Sequence, residues 1–340
     1  VFIDKDRGAE IFIRALGGRY EALEPGEPTG FNPLMLTDTG ANRAFLFQLF
    51  AYLLKPPRAE DSLTASEEQV IRNAVAAVLA GGPEGRTLPD FATLLKGRLR
   101  QGDHDLVSRL EGWIRPDQKG WLFNNLEDRL SGDRLAENQF STRSGQSASV
   151  FGFDMTRVLD TPEIRTAALL YIFHRLDELL DGDPVMIFLD EGWKLLDDDH
   201  FARFIKDKLK TIRKLNGIIG FGTQSAADIV RSSNAATLIE QTATNIFFPN
   251  PKADDESYGE AFRLSRREVA FIRETAPESR RFLIKSGRDS VIARLDLSSM
   301  PDLIRVLSGR AETVAECERL RALHGDDPAD WLPCFLGRTS

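Results

Sequence analysis

An α/β fold built on a mostly parallel sheet is the class this sequence predicts, and three stretches predict it. Val185-Met186-Ile187-Phe188-Leu189 is a continuous apolar run, as expected of a parallel strand covered on both faces. In Trp193–Asn216, Phe201, Ile205, Leu209, Ile212 and Leu215 recur at three- and four-residue spacing. That spacing makes one apolar stripe on a charged helix. Asn216-Gly217 tolerates a left-handed stop, and Ile218-Ile219-Gly220-Phe221-Gly222 then reads as a second apolar strand. Strand, helix and strand within one sheet form a right-handed crossover between parallel strands. Both strands therefore end at one edge.

Both strand ends carry groups with chemistry to offer. Asp190-Glu191 follow the first strand in the manner of a Walker B motif, and α/β sheets bind ligands outside the carboxyl ends of their strands. Asp190 would hold the Mg²⁺ of a bound nucleotide, directly or through water. Glu191 would polarise the water that attacks the γ-phosphate. Thr223-Gln224 end the second strand, and Thr223 joins Asp190 as a candidate nucleotide-binding residue. Gln224 can donate to the γ-phosphate and accept from the water. The plain alternatives are a core strand running into an acidic helix start, and a polar helix cap at Gln224. The two strand ends taken together favour the nucleotide site.

The remaining elements follow in order. Within residues 1–50, Val1–Ile3 is a strand, Gly8–Leu16 is helix-like, and Tyr20–Leu23 forms a short second strand. Pro25–Gly30 is a turn-rich loop. Asp4 and Asp6 at the first strand end either face the nucleotide or close a strand-to-helix turn. Residues 51–149 read as an all-α insertion with no convincing strand. Its helices are Ser66–Leu79, with Ser66 and Gln69 approximating a capping box, then Pro89–Arg100, His104–Trp113 and Asn125–Leu130. Trp113, Trp121 and Phe123 make a small buried core or, less economically, a docking surface. Arg134–Ser149 is polar and resembles a return linker.

Residues 150–300 return to the sheet through Val150–Met155 and the apolar helix Ile164–Leu180. After Gln224 come a strand at Asn245–Phe248 and helices at Asp254–Phe262 and Ser265–Thr275. A late β-hairpin pairs Arg281–Lys285 with Val291–Leu295. Residues 301–340 form a charged helical tail, Pro301–Leu307 and Glu312–Leu323, which would pack on the rest or mediate assembly.

Bulk properties narrow the classes. A length of 340 residues suggests two domains at about 150 residues each, and 42% hydrophobic content suits a globular core. The net charge of −8 argues against broad nucleic-acid binding, although a local basic pore loop would still permit DNA contact. Cys317 and Cys334 suggest neither a disulfide framework nor a metal site, and suit a reducing cytoplasm. His104, His174, His200 and His324 are scattered, against a zinc site. No apolar stretch reaches ~18 residues, so membrane association would come through partners or other segments.

Phe188–Leu196, Arg213–Gly217 and Gly222–Ser225 together resemble the large ATPase of type IV secretion and conjugation machines, the CagE/TrbE/VirB family. The resemblance runs almost end to end. It takes in Asp4–Gly8, Phe31–Leu34, Gly152–Thr156, Thr244–Pro251 and Arg281–Lys285, and rests on the order and spacing of these blocks. It implies a RecA-like P-loop NTPase domain using ATP and Mg²⁺, and a homo-oligomer, a hexamer or a dimer-based ring. It also implies other secretion subunits as partners and a cytoplasmic place peripheral to the inner membrane.

One departure matters: no G-x-x-x-x-G-K-[ST] occurs in these residues. The expectation is a truncated chain holding the hydrolytic half of a site, with the P-loop roughly 15–30 residues before Val1. Ring motors of this fold use an arginine from a neighbouring subunit, and Arg281 ranks slightly above Arg213 for that role, against the plain alternative that each is a surface or salt-bridging arginine. The alternative functions are a DNA-translocating ATPase of the FtsK–HerA type and a scaffold subunit that binds nucleotide poorly.

Overall fold

A computed structural model describes residues 1–56, 62–97, 105–130, 139–141, 147–178, 182–192, 212–224, 226–231 and 239–338. The chain divides into two compact units, Val1–Ala15 with Pro184–Ser340, and Leu16–Asp183.

The first unit opens with strand β1 (Phe2–Asp4) and helix α1 (Glu10–Ala15). The chain then enters the second unit with β2 (Arg19–Ala22) and α2 (Gly40–Leu53). Next come α3 (Ala65–Ala80), α4 (Leu88–Lys96), α5 (Asp105–Ile114) and the single turn α6 (Gly120–Phe123). The capping box of α3 is formed by Thr64 and Glu67, not by Ser66 and Gln69. Thr64 Oγ1 accepts from the Glu67 amide, and the Glu67 carboxylate accepts from the Thr64 amide. The same i, i+3 spacing two residues earlier, now closed by a carboxylate, starts the helix one residue sooner. Trp113, Trp121 and Phe123 are buried, as the small-core reading expected, and Phe123 meets Tyr171 edge-on at 5.7 Å.

Two expectations for this unit fail. Asn125–Leu130 is a loop, because its side chains bond elsewhere: Asn125 Nδ2 donates to Phe31 O at 2.9 Å, and Asp128 accepts from the Asn32 amide at 3.3 Å. Such side-chain bonds compete with a helical backbone. The polar stretch read as a linker holds two short antiparallel strands, β3 (Gln139–Ser141) and β4 (Ser147–Ser149). Strand β5 (Phe151–Asp154) then pairs parallel with β2, and helix α7 (Pro162–Asp177) follows.

Back in the first unit, β6 (Val185–Leu189) lies between β1 and β7 (Gly217–Phe221), parallel to both. Its Ile187 and Leu189 are buried, worth about 2 kcal/mol each. Met186 and its partner Ile218 stay exposed rather than covered as expected of a strand buried on both faces. The helix expected from Trp193 lies outside the described residues as far as residue 211, and Ile212–Leu215 is a 3₁₀ turn. Asn216 takes a φ of 58°, the left-handed stop.

Helix α8 (Ala226–Arg231) precedes β8 (Thr244–Phe247). A π-helical segment, Asp255–Glu260, stands where a regular helix was expected. Helix α9 (Arg266–Glu274) has a capping box of Ser265 and Glu268. The hairpin β9 (Arg281–Ser286) and β10 (Asp289–Arg294) forms an antiparallel sheet with β8, in the order β10-β9-β8. The tail holds α10 (Pro301–Val306), α11 (Ala311–His324) and a helix not expected, α12 (Pro328–Phe335). Val314, Cys317, Leu320, Trp331 and Phe335 close a core on Ile11 of α1. The tail therefore packs on the first unit.

Candidate functional site

Parallel pairing brings three strand ends to one edge of the first unit. Ile3 lies beside Leu189, and Leu189 beside Phe221. The ladder continues one step further: the Asp190 amide donates to Ile3 O at 2.8 Å, and the Gly222 amide to Leu189 O at 2.8 Å. Asp4, Asp190-Glu191 and Thr223-Gln224 therefore leave the sheet together. A Cβ on Gly222 would lie 3.2 Å from Asp190 Oδ1 and 3.2 Å from the Phe188 ring. A glycine there lets β7 run close beside the first carboxylate.

Glu191 is buried and has a φ of 51°. A non-glycine residue in the left-handed region costs about 1–3 kcal/mol and clusters at functional sites. Asp190 is half-buried, and its carboxyl is held above the usual range. Burial is the main cause and the charge of Glu191 the next. The hydrogen bond from the Glu191 amide and the charge of Lys5 oppose this, while Asp6 adds to it. A divalent cation would relieve the repulsion between the adjacent carboxylates. Among the described residues no group of three His, Cys, Asp or Glu could hold a metal by itself. Mg²⁺ commonly takes one or two carboxylates and completes its shell with phosphate oxygens and water. The donor set fits an ion arriving with a nucleotide.

Thr223 is half-buried and Gln224 exposed, on consecutive residues past β7. Asp4 is 5% exposed, and both its oxygens serve the turn that follows, accepting from the amides of Lys5 at 3.0 Å and Ala9 at 2.8 Å. Arg281 is not brought to this edge by the parallel sheet. It is exposed at the start of β9 in the separate antiparallel sheet, opposite Arg294. Arg213 falls in the turn before β7, at the other end of a five-residue strand, roughly 16 Å long. Lys5, whose charge acts on Asp190, was not among the sequence candidates. Its signal was the alternating charge of Asp4-Lys5-Asp6-Arg7 directly after a strand.

Comparison with known proteins adds sequence relatives and fold neighbours. Residues 164–263 match the TraG P-loop domain family. The chain is 41% identical, over 99% of its length, to the type IV secretion system protein virB4 of Bartonella henselae, of which it covers 41%. It is 40% identical, over 98% of its length, to the type IV secretion system protein PtlC of Bordetella pertussis, covering 40%. The chain thus spans about two fifths of the length of these curated relatives. Among solved structures, VirB4 of Thermoanaerobacter pseudethanolicus superposes with a TM-score of 0.61 at 17% identity, over 87% of this chain and 81% of that one. The plasmid coupling protein TrwB in complex with ADP and Mg²⁺ gives 0.52 at 13% identity, over 87% and 78%. At such identities these two likenesses speak for the fold.

Proposed function

The chain is homologous over nearly its whole length to the VirB4 and PtlC type IV secretion proteins, and from that premise we propose that it carries the hydrolytic half of an ATP-driven motor for type IV secretion or conjugative transfer. The observation that carries this reading is the meeting of Asp190-Glu191 with Thr223-Gln224 at one edge of a parallel sheet, on a P-loop NTPase fold.

Asp190 is the residue to hold magnesium, which when bound with nucleotide supplies charge neutralisation for the phosphate oxygens. Glu191 orients the attacking water and takes its proton. Gln224 donates to the γ-phosphate and accepts from that water, with Thr223 beside it. Asp4 acts by holding the turn that carries Lys5. Catalysis of this kind is positioning and electrostatics. Arg281, ahead of Arg213, is supplied by a neighbouring copy in a ring, where its planar fork suits phosphate oxygens. No helix among the described residues is long and apolar enough to cross a membrane. Contact with the inner membrane, in this reading, comes through partner subunits of the secretion machine or through other segments.

The test is made on a protein in which these residues are joined to a phosphate-binding loop. Glu191→Gln is expected to lower turnover by about 10²–10⁴-fold while ATP stays bound. Asp190→Asn should weaken Mg·ATP binding as well. Mixing Glu191→Gln with Arg281→Ala subunits should restore part of the activity, since some interfaces then pair an intact site with an intact arginine. Near-normal hydrolysis by Glu191→Gln would place the base elsewhere.

A further inference from the structure

The turn between β1 and α1 is held from three sides. Asp6 and Arg7 have φ of 58° and 57°, a left-handed pair that side chains rarely adopt unless they are restrained. From the strand side, the Asp4 carboxylate accepts from the amides of Lys5 and Ala9. From the helix side, Arg7 Nε donates to Glu10 Oε2 at 2.6 Å. Glu10 is 1% exposed, and its other oxygen accepts from Arg14 Nε at 2.7 Å. From the tail, Glu318 of α11 accepts from Arg7 Nη2. Just before α11 the backbone lies directly on the turn: a Cβ on Gly309 would sit 2.4 Å from Gly8 O. Only a glycine permits that approach.

The same turn carries Lys5 and Asp6, two charges that act on Asp190. The β1 end lies against the β6 end, with Asp190 N donating to Ile3 O at 2.8 Å. A displacement of the turn would therefore change the charges around the carboxylate read as the cation ligand. None of the sequence features that pointed to the site includes Arg7 in this role.

We propose that Arg7 is a positioning residue for the cation site. By joining buried Glu10 to Glu318 of α11, it fixes the Lys5–Gly8 turn beside the strand end that bears Asp190. The C-terminal helices thereby set how tightly the site holds a divalent cation. This inference rests on the reading of Asp190 as the cation ligand. Outer residues that orient a metal site commonly matter about 10–100-fold in affinity.

The experiment measures Mn²⁺ binding by electron paramagnetic resonance on the full-length protein with a non-hydrolysable ATP analogue. Arg7→Ala is expected to weaken Mn²⁺ about tenfold. Arg7→Lys, which cannot fork between two carboxylates, should recover only part of the loss. Glu318→Gln alone should cost a few-fold, and on the Arg7→Ala background almost nothing more, because the two act through one bridge. Thermal melts run alongside, so that a variant with a lowered melting temperature but wild-type Mn²⁺ affinity shows a merely structural arginine and overturns the proposal. Asp190→Asn separates the two claims. If it abolishes Mn²⁺ binding while Arg7→Ala leaves it intact, the positioning role is wrong and the site reading stands. If Asp190→Asn also leaves Mn²⁺ affinity unchanged, the site reading has failed and this inference falls with it.

Discussion

Asp128 and Asp190 are both carboxyls raised above the usual range chiefly by burial, one in each unit, yet their surroundings differ. Asp128 accepts from the amides of Asn32 and Leu130, each at 3.3 Å, and faces Arg175 Nη2 at 3.4 Å. Arg175 in turn donates to Leu130 O at 2.6 Å and pairs with Glu178 at 2.8 Å. One guanidinium thus serves both carboxylates, and the cluster pins the Asn125–Leu130 loop to α7. At Asp190 the strongest neighbouring charge is another carboxylate, Glu191, on a left-handed backbone. A compensated buried charge is architecture. The adjacent carboxylates at the end of β6 are the pair that the proposed function assigns to a cation, and their mutual repulsion is one cause of the raised Asp190 carboxyl.

The comparison predicts opposite responses to neutral substitutions. The largest effect belongs to the compensated cluster. Arg175→Met leaves Asp128 buried without its cation, and should destabilise the fold by about 3–5 kcal/mol, measured by urea denaturation. A loss under about 1 kcal/mol would mean that the cluster is better solvated than its burial suggests. The smaller effect has the other sign. Asp190→Asn removes one of two repelling charges, and should stabilise by about 0.5–2 kcal/mol, as relief at functional sites commonly does. Because the folded-state pKa of Asp190 is raised, its charge costs stability at neutral pH. The wild type recovers that cost as pH falls through the raised value toward the unfolded one, about 3.9. The advantage of Asn should therefore be greatest near neutral pH and shrink in acid. A destabilised Asp190→Asn at pH 7 would erase the distinction between the two carboxylates.

Much of this arrangement was legible in the residues. The apolar runs at Val185–Leu189 and Ile218–Phe221, with Asn216 between, specify parallel strands and their common edge without any long-range information. That Asp190, Glu191 and Gln224 leave the sheet at that edge follows from it. What stayed hidden depends on contacts between distant segments. The loop at Asn125–Leu130 looked helical because its apolar spacing is helical, and its bonds to Asn32 and Phe31 lie more than ninety residues away in sequence. Helix α12 escaped notice because Pro333 sits inside it. Trp331 and Phe335 form it by packing on Ile11, more than three hundred residues away in sequence. The left-handed turn at Glu191 and the bridge from Arg7 to Glu318 carry no local sequence signature at all. Asp4 was read two ways, and its carboxylate serves the strand-to-helix turn.

Asp190 and Glu191 are proposed to form the hydrolytic half of a nucleotide site. One measurement tests it most directly: a high-resolution structure of the full-length Glu191→Gln protein with Mg·ATP. The account predicts Mg²⁺ bound to the Asp190 carboxylate at about 2.1 Å, or one water removed from it. Residue 191 and Gln224 should lie within hydrogen-bond reach of the water in line with the γ-phosphate, about 2.6–3.2 Å. A nucleotide bound in the same protein with its γ-phosphate well away from the ends of β6 and β7, and Asp190 touching neither metal nor metal-bound water, would contradict it.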